Sequence, residues 1–128
     1  MRLQRFLTLF EAKLAHDGIP ADNQCGMCYQ DASNYMISHK NDDILLVHGL
    51  VTGQGNIAGI IYNHAWVEKG NKVIDDTIPL TIDKRVYYAL GNINEKTVFR
   101  YTCEEMVKKM LKFKTYGPWE RVLIKNKY

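Results

Sequence analysis

Apolar positions along the chain recur with two periods, and the switches between them mark the elements. Leu3, Phe6, Leu7, Phe10 and Leu14 fall at helical spacing and predict an amphipathic helix over residues 2–15, ended by Asp17-Gly18-Ile19-Pro20. The polar run Asp22-Asn23-Gln24-Cys25-Gly26 predicts a turn-forming loop. A second helix is expected from Met27 or Cys28 to about Ser38, packing through Tyr29, Ala32, Tyr35 and Met36. Strands are expected over Ile44–Thr52, Gly59–Glu68 and Lys72–Thr77, after which Ile78-Pro79-Leu80-Thr81 leaves the sheet. A short helix over Asp83–Leu90 would turn Val86, Tyr87 and Leu90 inward, and Thr97–Tyr101 reads as a short strand. Thr102-Cys103-Glu104-Glu105 is a capping box ahead of a helix to about Lys114, with Met106, Val107, Met110, Leu111 and Phe113 as its apolar face. Gly117-Pro118-Trp119 stops that helix, and Arg121–Lys125 reads as a last strand. This order predicts one α+β domain over residues 1–128.

The most informative stretch runs from Asn63 to Thr77. Gly70-Asn71 is a hairpin-turn dipeptide between two strand-forming runs. A two-residue loop sets Lys69 opposite Lys72 and, counting outward, Trp66 opposite Asp75 and His64 opposite Thr77. Period two then puts His64, Trp66, Asp75 and Thr77 on one face, with His64 and Asp75 diagonal neighbours. A three-residue loop would slip the register and bring Asp76 to His64 instead. Either register supplies a carboxylate to orient an imidazole.

Composition narrows the class. The 128 residues suffice for a core without disulfide staples. The net charge of +3 is spread along the chain, so it reads as solubility and not as a nucleic-acid footprint. Three cysteines do not make a disulfide framework, and no leader-like or membrane-spanning apolar run is present, so the expected setting is a reducing cytoplasm without membrane or nucleic-acid partners.

A thiol beside the His–Asp pair would complete a nucleophilic site. Cys28, expected at a helix N-terminus, is the candidate, because backbone N–H groups and the helix dipole there favour a thiolate. An imidazole takes the thiol proton, a carboxylate fixes the ring, and donors such as the Cys28 N–H or the Gln24 or Asn23 side chain would hold the oxyanion. Periodicity alone does not bring Cys28 to His64.

Cys25-Gly26-Met27-Cys28-Tyr29 resembles the signature around the nucleophile of papain-like proteases. His64-Ala65-Trp66-Val67-Glu68 followed by Val73-Ile74-Asp75-Asp76-Thr77 resembles the transglutaminase-like core, in which a helix-start cysteine precedes His-Ala-Trp and Asp-Pro-Thr strands. The chain also resembles small bacterial and phage proteins with Cys-Tyr-x-Asn-Ala, Val-x-Gly, His-Ala-Trp and Val-Ile-Asp-x-Thr segments. Here these read Cys28-Tyr29-Gln30-Asp31-Ala32, Val47-His48-Gly49, His64-Ala65-Trp66 and Val73-Ile74-Asp75-Asp76-Thr77. The likeness covers about residues 23–77, departing at Asp31 and Asp76. It implies a papain-like or transglutaminase-like core, a nucleophile helix on an antiparallel sheet with flanking helices. Within it Cys28 is nucleophile, His64 base and Asp75 orienter, with no cofactor and a peptide, protein or small amide substrate.

Other readings stand beside this one. A catalytically inactive module of the same scaffold, such as a phage-encoded one, would bind a protein partner. A zinc domain would need Cys25, Cys28, His64 and either His48 or Cys103, without the usual ligand spacing. Cys25 is an idle neighbour, a redox partner of Cys28 or a metal ligand, and Cys103 is core filler. His48 is either a satisfied strand residue or a cleft residue. Trp66 either walls the site as a substrate-binding residue or packs on the Cys28 helix, and Glu68, near the turn, is expected to face solvent.

Overall fold

The computed structural model describes residues 27–75 and 80–120. The expected helix over 2–15, the loop with Asn23, Gln24 and Cys25, residues 76 and 77, and the expected strand over 121–125 lie outside the described residues.

Helix α1 is Cys28–Ser38, starting where the sequence places it. Cys28, Tyr29, Ala32, Ser33 and Met36 are buried, the stripe that the helical period requires of one packing face. Strands β1 (Leu45–Thr52), β2 (Ile61–Lys69) and β3 (Lys72–Asp75) follow. The β2–β3 turn closes with Lys69 opposite Lys72, so the two-residue loop at Gly70-Asn71 holds and Gly70 takes the positive φ (58°) that such a turn requires.

Strand β4 (Leu80–Asp83) corrects the expectation that the chain leaves the sheet at Ile78–Thr81. It pairs antiparallel with β3, Asp75 opposite Leu80 and Lys72 opposite Asp83, and turns Ile82 into the core. Asp83 caps helix α2 (Lys84–Leu90) by accepting the Arg85 N–H. Strand β5 (Val98–Tyr101) leads into helix α3 (Cys103–Phe113), whose Thr102–Glu105 capping box is complete. The sheet order is β4-β3-β2-β1-β5 with every described pairing antiparallel.

Both faces of the sheet are covered. The β1–β2 register (Val47 opposite Trp66, His48 opposite Ala65, Gly49 opposite His64) puts Gly49, His64, Trp66 and Glu68 on one face and His48, Ala65 and Val67 on the other. Helix α2 covers the first face, where Tyr87 and Tyr88 meet the Trp66 ring. Helices α1 and α3 cover the second: Tyr29 meets His48 edge-on at 4.8 Å, and Met106 is buried. A sheet covered on both faces explains why β2 is buried almost continuously from Tyr62 to Glu68 instead of alternating.

Helix α3 corrects a second expectation. Of its apolar residues Met106 is buried and Met110 half-buried, while Val107, Leu111 and Phe113 are exposed. No described helix is long and apolar enough to cross a membrane.

Candidate functional site

The hairpin positions the site. With the register closed at Lys69–Lys72, Asp75 comes to the end of β3 on the His64 face of the sheet. His64 Nε2 and Asp75 Oδ2 are 2.9 Å apart. A carboxylate only accepts, so Nε2 carries the proton and the ring is oriented through that bond. Both side chains are buried, His64 at 0 % and Asp75 at 2 % exposure, so the contact is shielded from water. Asp75 is thus the carboxylate placed on His64 among the described residues, as the two-residue loop requires.

A third residue joins the pair. The Tyr87 hydroxyl donates to the same Asp75 Oδ2 at 2.7 Å. Burial and the neighbouring Asp75 hold the Tyr87 hydroxyl well above the ordinary phenol range, so it remains a donor. The α2 apolar stripe marks Tyr87 as inward-facing, but nothing in the spacing names its hydroxyl's partner.

Trp66 sits beside His64, the rings stacked with centroids 6.0 Å apart. It is fully buried and donates its indole N–H to Glu68 Oε2 at 3.1 Å. That N–H is engaged within the protein, and the ring meets Tyr87 and Tyr88 of α2.

Glu68 corrects the expectation of a solvent-facing side chain. It is 4 % exposed and shares the His64–Trp66 face by strand parity. Arg100 Nε donates to its Oε1 at 2.9 Å, Lys84 lies 3.7 Å from that oxygen, and the Tyr88 hydroxyl donates to Oε2. Arg100 also grips Glu95 through both terminal nitrogens, at 2.8 and 3.0 Å. The network ties β2, β5 and α2 together behind Trp66 and satisfies a carboxylate that burial alone would make costly.

Cys28 opens α1, so its backbone N–H is one of the donors left without an intrahelical acceptor. Two observations qualify its role. Cys28 is disulfide-bonded, its partner sulfur lying outside the described residues, whereas Cys103 is a free thiol. The chain thus carries a disulfide, which the expectation of a reducing setting without a disulfide framework does not include, although a redox partner for Cys28 is among the readings of Cys25. Helix α1 also packs through Tyr29 against His48, a residue of the face opposite His64, while His64 and Asp75 meet in a direct hydrogen bond.

His48 is a buried strand residue, not a cleft residue. Tyr29, Tyr101 and Trp119 surround its ring at centroid distances of 4.8, 5.2 and 4.8 Å. Neither ring nitrogen has a hydrogen-bond partner among the described residues. Burial, with a smaller contribution from His64, lowers its pKa to about 3. His48 and His64 point to opposite faces, so the ligand set that would use both does not assemble. Among the described residues no cluster of three or more His, Cys, Asp or Glu could hold a metal ion.

No protein-family model matches the chain, and no curated protein or solved structure matches it at a significant level.

Proposed function

We propose that the reduced protein is a small cysteine hydrolase or acyltransferase of the papain-like or transglutaminase-like kind, with Cys28 as nucleophile, His64 as base and Asp75 as orienter. The observation that carries the reading is the buried His64–Asp75 bond at 2.9 Å. A ring fixed through Nε2 takes and returns protons at Nδ1, and a carboxylate steadies the imidazolium that forms. The likeness of the Cys28, His64 and Asp75 segments to those families supports the same assignment.

The chemistry starts with a thiol reductant, which opens the Cys28 disulfide by exchange and releases its sulfur as thiolate. Helix α1 presents that sulfur at its N-terminus, where the dipole favours negative charge. The thiolate attacks the carbon of an amide, isopeptide or thioester, and the carbonyl becomes an oxyanion held by the Cys28 N–H and by Gln24 or Asn23. Collapse expels the leaving group, an amine taking a proton from the imidazolium, and leaves an acyl-thioester. Water or an acceptor amine, giving its proton to the His64 imidazole, then attacks the thioester and restores the thiolate and imidazolium.

Incubating dithiothreitol-treated protein with a p-nitrophenyl ester and measuring intact mass tests the reading. The expected result is one acyl adduct on Cys28, absent in Cys28→Ser and slowed in His64→Ala. Acylation of Cys28 and Cys103 at equal rates in all variants would end the catalytic assignment. The Cys28 disulfide and the exposed Val107, Leu111 and Phe113 on α3 favour a second reading, an inactive module that binds a protein partner. Equal, slow acylation would leave that one standing.

A further inference from the structure

Tyr87 lies outside every segment that carries the family likeness, yet it touches the Asp75 oxygen that receives His64. His64 Nε2 lies 2.9 Å from Asp75 Oδ2 and the Tyr87 oxygen 2.7 Å from the same atom. All three side chains are buried. We infer that Tyr87 is a positioning residue of this site: its hydroxyl, sharing one carboxylate oxygen with the imidazole, sets how much of the Asp75 charge His64 feels. Its functional consequence rests on the reading of His64 as base, but its electrostatic content does not.

The geometry gives the sign. A donor on Oδ2 draws electron density from the oxygen and weakens it as an acceptor for the His64 N–H. With Tyr87 in place the imidazolium is stabilised less than by an otherwise identical lone carboxylate. Helix α2 places the hydroxyl, and the Trp66 ring, packed against both His64 and Tyr87, holds the two side chains in register. Among the described residues, the titratable neighbours of His64 include Tyr62 on β2, whose ring centroid is 5.9 Å away, and His48 across the sheet. Neither shares the Asp75 oxygen in a described hydrogen bond, and burial with the neighbouring Asp75 keeps the Tyr62 hydroxyl protonated as well.

The test is the titration of the His64 ring, followed by its Cε1 proton resonance across pH in the full chain and in Tyr87→Phe. Loss of the hydroxyl should raise the midpoint by about half a unit or more, roughly threefold in the ratio of protonated to neutral ring. An unchanged or lowered midpoint overturns the inference. Should Tyr87→Phe fail to fold, 3-fluorotyrosine placed at position 87 alone keeps the ring and strengthens the donor. The midpoint must then fall, and no change overturns the inference.

Repeating the titration in a Cys28→Ser background separates this inference from the thiol reading. A Tyr87-dependent shift there, in a protein whose wild type forms no acyl adduct, upholds the positioning role and rejects the hydrolase. An acyl adduct with no Tyr87-dependent shift does the reverse.

Discussion

Replacing His48 with phenylalanine should make the protein lose less stability in mild acid. The wild-type imidazole is buried among Tyr29, Tyr101 and Trp119, and burial lowers its pKa from 6.5 to about 3. The unfolded chain takes up a proton on this residue as pH falls through 6.5, while the native state refuses it until about pH 3. The unfolded state therefore binds more protons across that window, so stability is complete above the unfolded pKa and falls as pH drops. At 1.36 kcal/mol per unit, the loss between about pH 7 and about pH 5 is on the order of 2 kcal/mol. Phenylalanine cannot titrate and keeps an aromatic ring in the box. Its extra bulk adds a pH-independent cost, because even a Cβ at Gly117 would lie 2.6 Å from His48 Cε1. Urea unfolding of both proteins at a series of pH values separates the two effects: the packing cost is an offset and the titration is a slope. The wild-type curve should fall toward acid more steeply than the variant's by about 2 kcal/mol over that interval. Parallel curves would refute the reasoning and show that water or a partner reaches His48.

Other outcomes follow from the same packing. Glu68→Ala removes the acceptor of the Trp66 indole N–H and the buried one of the two carboxylates that hold Arg100. It should cost about 3 kcal/mol in urea unfolding, the range for breaking a buried charge pair, and a cost below about 1 kcal/mol would mean the network is solvated. Gly49→Ala puts a Cβ 2.9 Å from Trp66 Cη2 and 3.1 Å from Val98 Cγ2. The Trp66 ring is fully buried against α2, so the substitution should destabilise by about 1–3 kcal/mol; a stabilised Gly49→Ala protein would show that the Trp66 edge is loosely held.

Much of this arrangement was legible in the sequence where local chemistry decides the structure. Gly70-Asn71 set the hairpin register, and through it the His64–Asp75 contact, because a two-residue loop permits one pairing of the strands that follow. The start of α1 at Cys28 and the capping box of α3 followed from local hydrogen-bonding groups in the same way. Glu68 was misplaced because proximity to the turn was weighed above parity: residues 64, 66 and 68 must share a face. Strand β4 was hidden because the run around Pro79 looks like an exit, and its pairing depends on β3 having a free edge. The Tyr87 hydroxyl partner and the burial of His48 come from helices docked on the two faces of the sheet, and strand periodicity carries no signal for either. Helix α3 reads as more buried than it is because an apolar stripe reports capacity to pack and not the presence of a neighbour.

The central claim is that His64, oriented by Asp75, activates Cys28. The rate of iodoacetamide alkylation of each cysteine in the reduced protein, read by mass spectrometry across pH, tests it most directly when wild type is compared with His64→Ala. The account predicts that Cys28 reacts well below the free-thiol pKa of about 8.5 and that His64→Ala removes this reactivity while leaving Cys103 unchanged. Cys28 alkylation that follows Cys103 at every pH, with or without His64, would contradict it.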